Sequence, residues 1–402
     1  GKMNRFIVTA AAILSATSAT AGGFEASRLD TKFMYEKGNY AELSYGSLDY
    51  DVKADTRTVQ NTRLNENSVK TSQNRNVGSF KTKYGGFEVG LTRFKSGTIQ
   101  LDGNATNYAL NAAGCTDPTD ANQAACRTGG PVPKTDVNLN TVALLGKLDV
   151  SNEVEFMVGL KRNKLGDSTV TTSRGTFTLT GESNTSGMVG FAYSKPEIAL
   201  RVELLVQPSS KISAATSFAA SNWAKGLILS AANPDPAPDC DNSDFAATLN
   251  TTMSTPASQT LNFQSGVAKD TLVFGSIHRV DWASAQINAE TGCSATRAAS
   301  AFWDTTTYTI GAARKLSDSL ALTASVASET GGSNTTTSLF TVNNGYKAIN
   351  LGAQYKIGKV TISGGYNYTK LGDITVTDGT SDYAIYKNNK VSALGIKIGV
   401  SF

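Results

Sequence analysis

Histidine is almost missing from the 402 residues, with one at position 278, and cysteine, with four, and proline, with nine, are scarce. Each shortage excludes something. An imidazole-based metal site has no ligand set, and the spacings of Cys115, Cys126, Cys240 and Cys293 fit no zinc pattern. Histidine-dependent hydrolysis would have to run through His278 alone. That residue shares its parity with Leu272, Phe274 and Val280 in an alternating stretch, so it is expected to face lipid or an aromatic interface rather than a nucleophile. No catalytic residue, metal or cofactor is expected, and the chain is not expected to be an enzyme. Charge is also sparse, at 17% of residues with a net +4, which implies no nucleic-acid partner. Beyond the first twenty or so residues no apolar run approaches the roughly 20 residues of a membrane-spanning helix. If the mature chain sits in a membrane, it must do so as a barrel.

What is present begins with an address. Lys2 and Arg5 form a basic start, Phe6 to Ala16 an apolar core, and Ala19-Thr20-Ala21 a small-residue cleavage site, so residues 1–21 read as a secretory signal peptide. Its removal takes away two positive charges and no acidic one, leaving about +2. In an exported chain four cysteines suggest disulfides, with three pairings open. The short separation favours Cys115 with Cys126 and leaves Cys240 for Cys293.

The clearest segment is the C-terminus, where Leu394, Ile396, Ile398, Val400 and Phe402 share one parity and Gly395, Lys397, Gly399 and Ser401 the other. A terminal aromatic on such a strand resembles the signal read by the outer-membrane barrel-assembly machinery, with Phe402 as that signal. The same period of two recurs. Val154, Phe156, Val158 and Leu160 alternate with Glu155 and Lys161; Ile198, Leu200, Val202 and Leu204 alternate with Arg201 and Glu203; Ile349, Leu351, Tyr355 and Ile357 alternate with Asn350, Gln354 and Lys356. In each case the ionised groups lie off the apolar face. A charge on the lipid face costs roughly 2–4 kcal/mol at the midplane, so these charges are expected to point into a lumen.

Tight connections at Tyr84-Gly85-Gly86, Asp149–Asn152, Lys195-Pro196, Ala268–Asp270, Lys315–Asp318 and Gly358-Lys359 alternate with long ones. The expected fold is therefore all-β: a single transmembrane antiparallel barrel of about fourteen strands within 39–402, with long extracellular loops. The strands are expected at 39–54, 76–84, 86–96, 135–148, 153–165, 185–195, 197–208, 258–268, 271–284, 305–315, 319–329, 345–357, 359–376 and 391–402. All four cysteines then fall in outward loops, where the favoured pairs staple one loop and tie two neighbours together.

The stretch TLNFQSGVAKDTLVFGSIHRVDWASAQI looks like a hairpin of the FadL/TodX family of outer-membrane transporters for long-chain fatty acids and other hydrophobic compounds. FMYEKGNYAELSYGSLDYDV resembles that family's first strand, YSKPEIALRVELL a turn and strand, and INLGAQYKIGKVTISGGYNYTKLGD with ALGIKIGVSF the closing strands, all in the same order. The resemblance implies fourteen strands, an N-terminal plug segment (here 22–38), capture of an apolar substrate at a loop groove, a lumen pocket, and sideways release near the third strand. The family's Asn-Pro-Ala-Gly plug motif is not found, and the segment is short.

Candidate site residues follow from this reading. The cations placed on the inward parity, Arg201, Arg279, Lys356 and Lys397, are candidates to meet the head group of a hydrophobic carboxylate; the simpler alternative is that they pair with Glu42, Glu155, Glu203 and Asp281 and brace the barrel. Phe218, Trp223, Leu227, Ile228 and Leu229 make the 209–257 loop unusually apolar, as a capture site or as a loop core closing the mouth. Gly85 and Gly86 suit a tight turn, while Gly90 is the candidate for the lateral-exit kink. The expected function is passive uptake of a hydrophobic small molecule or fatty acid across the outer membrane of a Gram-negative bacterium, with both termini periplasmic and a monomer favoured. A general diffusion porin and a non-transporting adhesin or structural barrel are the alternatives. Outer-membrane lipid and lipopolysaccharide surround such a barrel, and the assembly machinery handles it during biogenesis.

Overall fold

A computed structural model describes residues 22–57, 63–103, 132–172, 175–220, 249–291, 295–377 and 382–402. The signal segment 1–21, all four cysteines, Trp223, Leu227, Ile228 and Leu229 lie outside the described residues.

Fourteen strands build the wall: β1 (Tyr40–Asp51), β2 (Ser72–Tyr84), β3 (Phe87–Ile99), β4 (Lys134–Asp149), β5 (Val154–Leu165), β6 (Glu182–Lys195), β7 (Leu200–Gln207), β8 (Ser258–Ala268), β9 (Thr271–Val280), β10 (Thr305–Lys315), β11 (Leu320–Glu329), β12 (Tyr346–Ile357), β13 (Val360–Leu371) and β14 (Lys390–Ser401). Each pairs antiparallel with the next, and β14 returns to β1 from Tyr40 opposite Ser401 to Asp51 opposite Lys390. Closure leaves no free edge, the condition for a sheet in hydrocarbon, where an unpaired peptide group costs several kcal/mol. The hairpins at one end are tight, with Gly85 at φ 63° and Gly358 at φ 59°, a left-handed backbone that glycine adopts without strain.

The alternation sorts the two faces. Leu43, Leu91, Leu144, Leu160, Phe191, Leu204, Ile310, Val326, Leu351, Tyr366 and Ile396 all stand exposed on the outside, while Lys81, Lys147, Lys161, Glu203, Asn350 and Lys397 are buried within. An apolar band that circles the molecule in this way is the lipid face of a transmembrane barrel. Phe402 belongs to it, 60% exposed and 6.2 Å from Phe80 between ring centres.

The other end carries extra strands. Lys53–Arg57, Arg63–Asn67, Thr335–Thr336, Ile374–Thr377 and Asp382–Tyr386 form a five-stranded sheet, and strands between Ser168 and Ala298 extend the wall on the far side. They close over an apolar core that includes Tyr50, Ile99, Leu101, Ile212, Met253, Trp282 and Tyr386. The 209–257 loop is thus partly wall: Ser210–Ala220 and Leu249–Thr255 are paired strands. Phe218 is buried there and stacks on Phe177 with centroids 4.4 Å apart.

Candidate functional site

The segment before β1 crosses the inside of the barrel. Phe24 to Ser27 runs antiparallel to the upper half of β3: Ala26 N–H donates to Ser96 O and Ser27 N–H to Lys95 O, both at 3.0 Å, and Thr98 N–H donates to Phe24 O at 2.9 Å. A 3-10 turn at Lys32–Tyr35 follows, burying Phe33 and Met34 against Phe94, Leu145, Met157, Met188 and Leu205. Polar clasps fix the path. Glu203 accepts hydrogen bonds from Thr31 Oγ1 at 2.7 Å, from Asn262 Nδ2 at 3.0 Å and from the Tyr35 hydroxyl. The Glu25 carboxylate meets His278 Nε2 at 3.1 Å, and His278 Nδ1 lies 2.8 Å from Thr260 Oγ1. Burial pushes the Glu25 carboxyl up, but His278, Arg28 and Lys161 outweigh it and hold the group below the usual carboxylate range.

That edge of β3 is available because the wall splits. The β2–β3 ladder runs from Tyr84 opposite Phe87 only as far as Gly78 opposite Arg93. Pairing between the two resumes where Lys70 N–H donates to Gln100 O. Between those points about six residues of each strand make no rung with the other, an interval of roughly 20 Å at 3.3 Å per residue, and Phe24–Ser27 takes the edge of β3 from Lys95 to Thr98. On its other side β3 stays paired to β4, with a register shift between Lys95 and Gly97. A cavity of about 120 Å³ opens behind the split, and Val77 and Phe94, at its rim, line both. Leu29, Phe263 and Phe274 add apolar wall, while Arg28, Asp30, Lys32, Glu42, Arg201, Glu203 and Lys397 supply charge.

Of the four candidate cations, the structure brings two to this cavity. Arg201 lies over the Tyr35 ring, 3.8 Å from its centroid, and reaches Gln264 Oε1 at 3.4 Å. Lys397 is buried and ion-paired to Glu42 at 2.6 Å. Bracing also describes Lys147, which bridges Glu88 and Glu155 at 2.7 Å each. Lys356 is on the inward parity but at the tight-turn rim and exposed, away from the cavity lining.

Arg279 requires correction: it points outward, 56% exposed, with Asp304 at 3.4 Å. His278, expected toward lipid, is buried in the lumen. The reason is shared. On β9 the inward residues Leu272, Phe274 and Val280 are apolar because they pack on the apolar lumen and loop core, and the outward face carries Ile277. With both faces apolar, alternation does not tell inside from outside.

Gly90 sits in an unbroken ladder, opposite Lys81 on one side and Leu145 on the other. A β-carbon there would overlap Met34 Sδ and stand 2.8 Å from Phe33 Cε2, so this glycine admits the 3-10 turn. The irregularity of the third strand lies at Lys95–Gly97 instead.

Among the cations not singled out from sequence, two stand out. Arg75 faces inward beside the split, with Nη2 3.4 Å from the Tyr50 hydroxyl, and Arg28 lines the cavity; the Nε of each is buried with no partner among the described residues. The alternation Arg75, Val77, Ser79, Lys81 carried the signal for the first. Nothing in sequence placed Arg28.

No protein-family model and no curated protein matches the sequence. Solved structures do match. A Pseudomonas aeruginosa FadL homologue superposes with a TM-score of 0.72 at 12% identity over 92% of each chain. The P. putida toluene transporter TodX gives 0.59 at 12% identity over 91% of each, and the Ralstonia pickettii toluene transporter TbuX 0.59 at 12% over 96% of this chain and 97% of that one. The chain therefore has the fold of the FadL and TodX barrels, as the resemblance in its sequence implied.

Proposed function

We propose that this barrel takes up hydrophobic small molecules passively across the outer membrane and releases them sideways through the split between β2 and β3. The tight turns then face the periplasm, as short turns do in bacterial barrels, and both termini lie on that side. The observation that carries the reading is the cavity whose rim residues, Val77 and Phe94, are also the first unpaired residues of the split wall. A solute in that cavity reaches the split beside Val77 and Phe94, where the N-terminal segment, paired with β3 from Lys95 to Thr98, borders the way out. The solved barrels of the same fold include toluene transporters, which supports an apolar cargo.

Cavity size bears on the cargo. At about 120 Å³ it is close to the roughly 150 Å³ cavity that holds benzene in an engineered protein, so it suits a single ring or one end of a longer chain. Arg28 and Arg201 offer a carboxylate a partner, which favours cargo with one anionic or polar end. Phe218, stacked on Phe177, belongs to the apolar end of the barrel from which a solute would enter. A deletion strain grown on a panel of dilute aromatic acids, aromatic hydrocarbons and fatty acids should lose growth on at least one and regain it on complementation; normal growth on the whole panel refutes the proposal.

A further inference from the structure

The outer face of the barrel carries an unusual row of charge. Lys347 on β12 stands directly opposite Lys370 on β13, and Lys370 directly opposite Lys390 on β14. All three are exposed, on the strand ends away from the tight turns. Neighbouring strands are about 4.8 Å apart, so the three side chains start within roughly 10 Å of one another. Like charges set directly across a ladder repel, and none of the three forms an ion pair among the described residues. The contrast with β9 is informative, because Arg279 there has Asp304 beside it. Two carboxylates of β1, Asp51 opposite Lys390 and Asp49 one outward position further, stand at that end of the row and leave Lys347 and Lys370 without an acidic neighbour directly across the ladder.

Directly below lies apolar surface. Ile349 and Tyr368 form the next outward cross-strand pair, and a groove of about 700 Å³ runs from Lys347 and Lys370 past them to Val326, Ile310 and Ile277. That volume is in the range of about 300–1,000 Å³ typical of sites for ligands of drug size. A cationic head site joined to an apolar trough is the complement of an amphiphile with an anionic head. A second copy of this chain would bring the same lysine row against itself and be repelled.

We propose that Lys347, Lys370 and Lys390, with the groove beneath them, bind a phosphate-bearing acylated lipid of the surrounding outer leaflet. The phosphate screens the three ammonium groups, and the acyl chain lies along Tyr368, Ile349 and Val326. The site rests on the membrane placement proposed above but not on transport, and its lysines stand on the outer face, with Phe263, Ser276 and Thr309 of the wall between the groove and the cavity.

The test titrates the full-length protein, delipidated in a neutral detergent, with bisphosphorylated lipid A, dephosphorylated lipid A and inorganic phosphate, and follows binding by native mass spectrometry. Bisphosphorylated lipid A should bind at least tenfold more tightly than the dephosphorylated form. The combined variant K347Q, K370Q, K390Q should lose at least tenfold in affinity for it, and Ile349→Ser severalfold. Lys359→Gln, at the opposite rim, should change nothing. Heat-modified gel mobility establishes that each variant is a folded barrel. Binding by the triple variant within twofold of wild type overturns the proposal, as does saturation by inorganic phosphate at the same concentration, which would make the row a plain anion site. Uptake assayed on the same variants separates this site from the transport proposal: lipid binding lost with uptake intact refutes neither, whereas lipid binding retained in the triple variant refutes this site alone.

Discussion

At position 90 a missing side chain does the work. The Phe33–Met34 turn reaches the barrel wall only because β3 presents a hydrogen there, and a valine would drive into the Phe33 ring and Met34 Sδ. Overpacking of this kind typically costs about 1–3 kcal/mol. Gly90→Val should lose stability of that order in urea unfolding, and trypsin should cut after Arg28 or Lys32, sites shielded in the parent by the lumen. Unchanged protease resistance would show that the turn does not depend on this contact. Glu203 is the polar counterpart, a buried carboxylate whose three donors tie Thr31 and Tyr35 of the incoming segment to Asn262 of β8. Removing one partner of such a buried network leaves the rest unsatisfied, which costs more than the bond itself contributes.

Among the elements, the short N-terminal strand matters most, because it completes an edge that the wall has given up. Ala26→Pro deletes the N–H bound to Ser96 O and should free the segment from β3. In hydrogen exchange the amides of Ser27 and Thr98 should then lose protection, while Thr92, within the stretch where β2 and β3 remain paired, keeps it. Equal protection in variant and parent would contradict the pairing. Element scale is also where the sequence was most legible. Period-two alternation in the clearest segments, with strands counted around the six tight turns, placed the fourteen strands, and Arg201 and Lys397 fell on the lumen side as their parity required. It failed on β9, where both faces are apolar and Arg279 and His278 came out reversed. The split between β2 and β3 was illegible for a different reason: a rung belongs to two strands at once, and nothing in either strand alone records that the other has moved away. The path of residues 22–39 was hidden likewise, since its partners Ser96, Glu203 and His278 are scattered across the chain.

For the molecule as a whole, axial flow and lateral release are distinct routes that experiment separates. The loop core seals one end and the N-terminal segment crosses the lumen. In planar bilayers the intact protein should therefore show no large, steady conductance steps, and deletion of residues 22–38 should produce them. Large steps from the intact protein would support a water-filled porin instead. The lateral path is the central claim, and it has a direct measurement. Asn76 on β2 and Lys95 on β3 face outward on either side of the split, two residues past the last rung. With both replaced by cysteine and joined by a short bis-methanethiosulfonate linker, which forms a disulfide to each cysteine with loss of sulfinate, uptake of a hydrophobic cargo should fall to the level of the deletion strain and recover when a reducing thiol cuts the linker, while the parent protein treated with the same reagents is unaffected. Uptake that continues at the parent rate with the wall locked would contradict release through that gap.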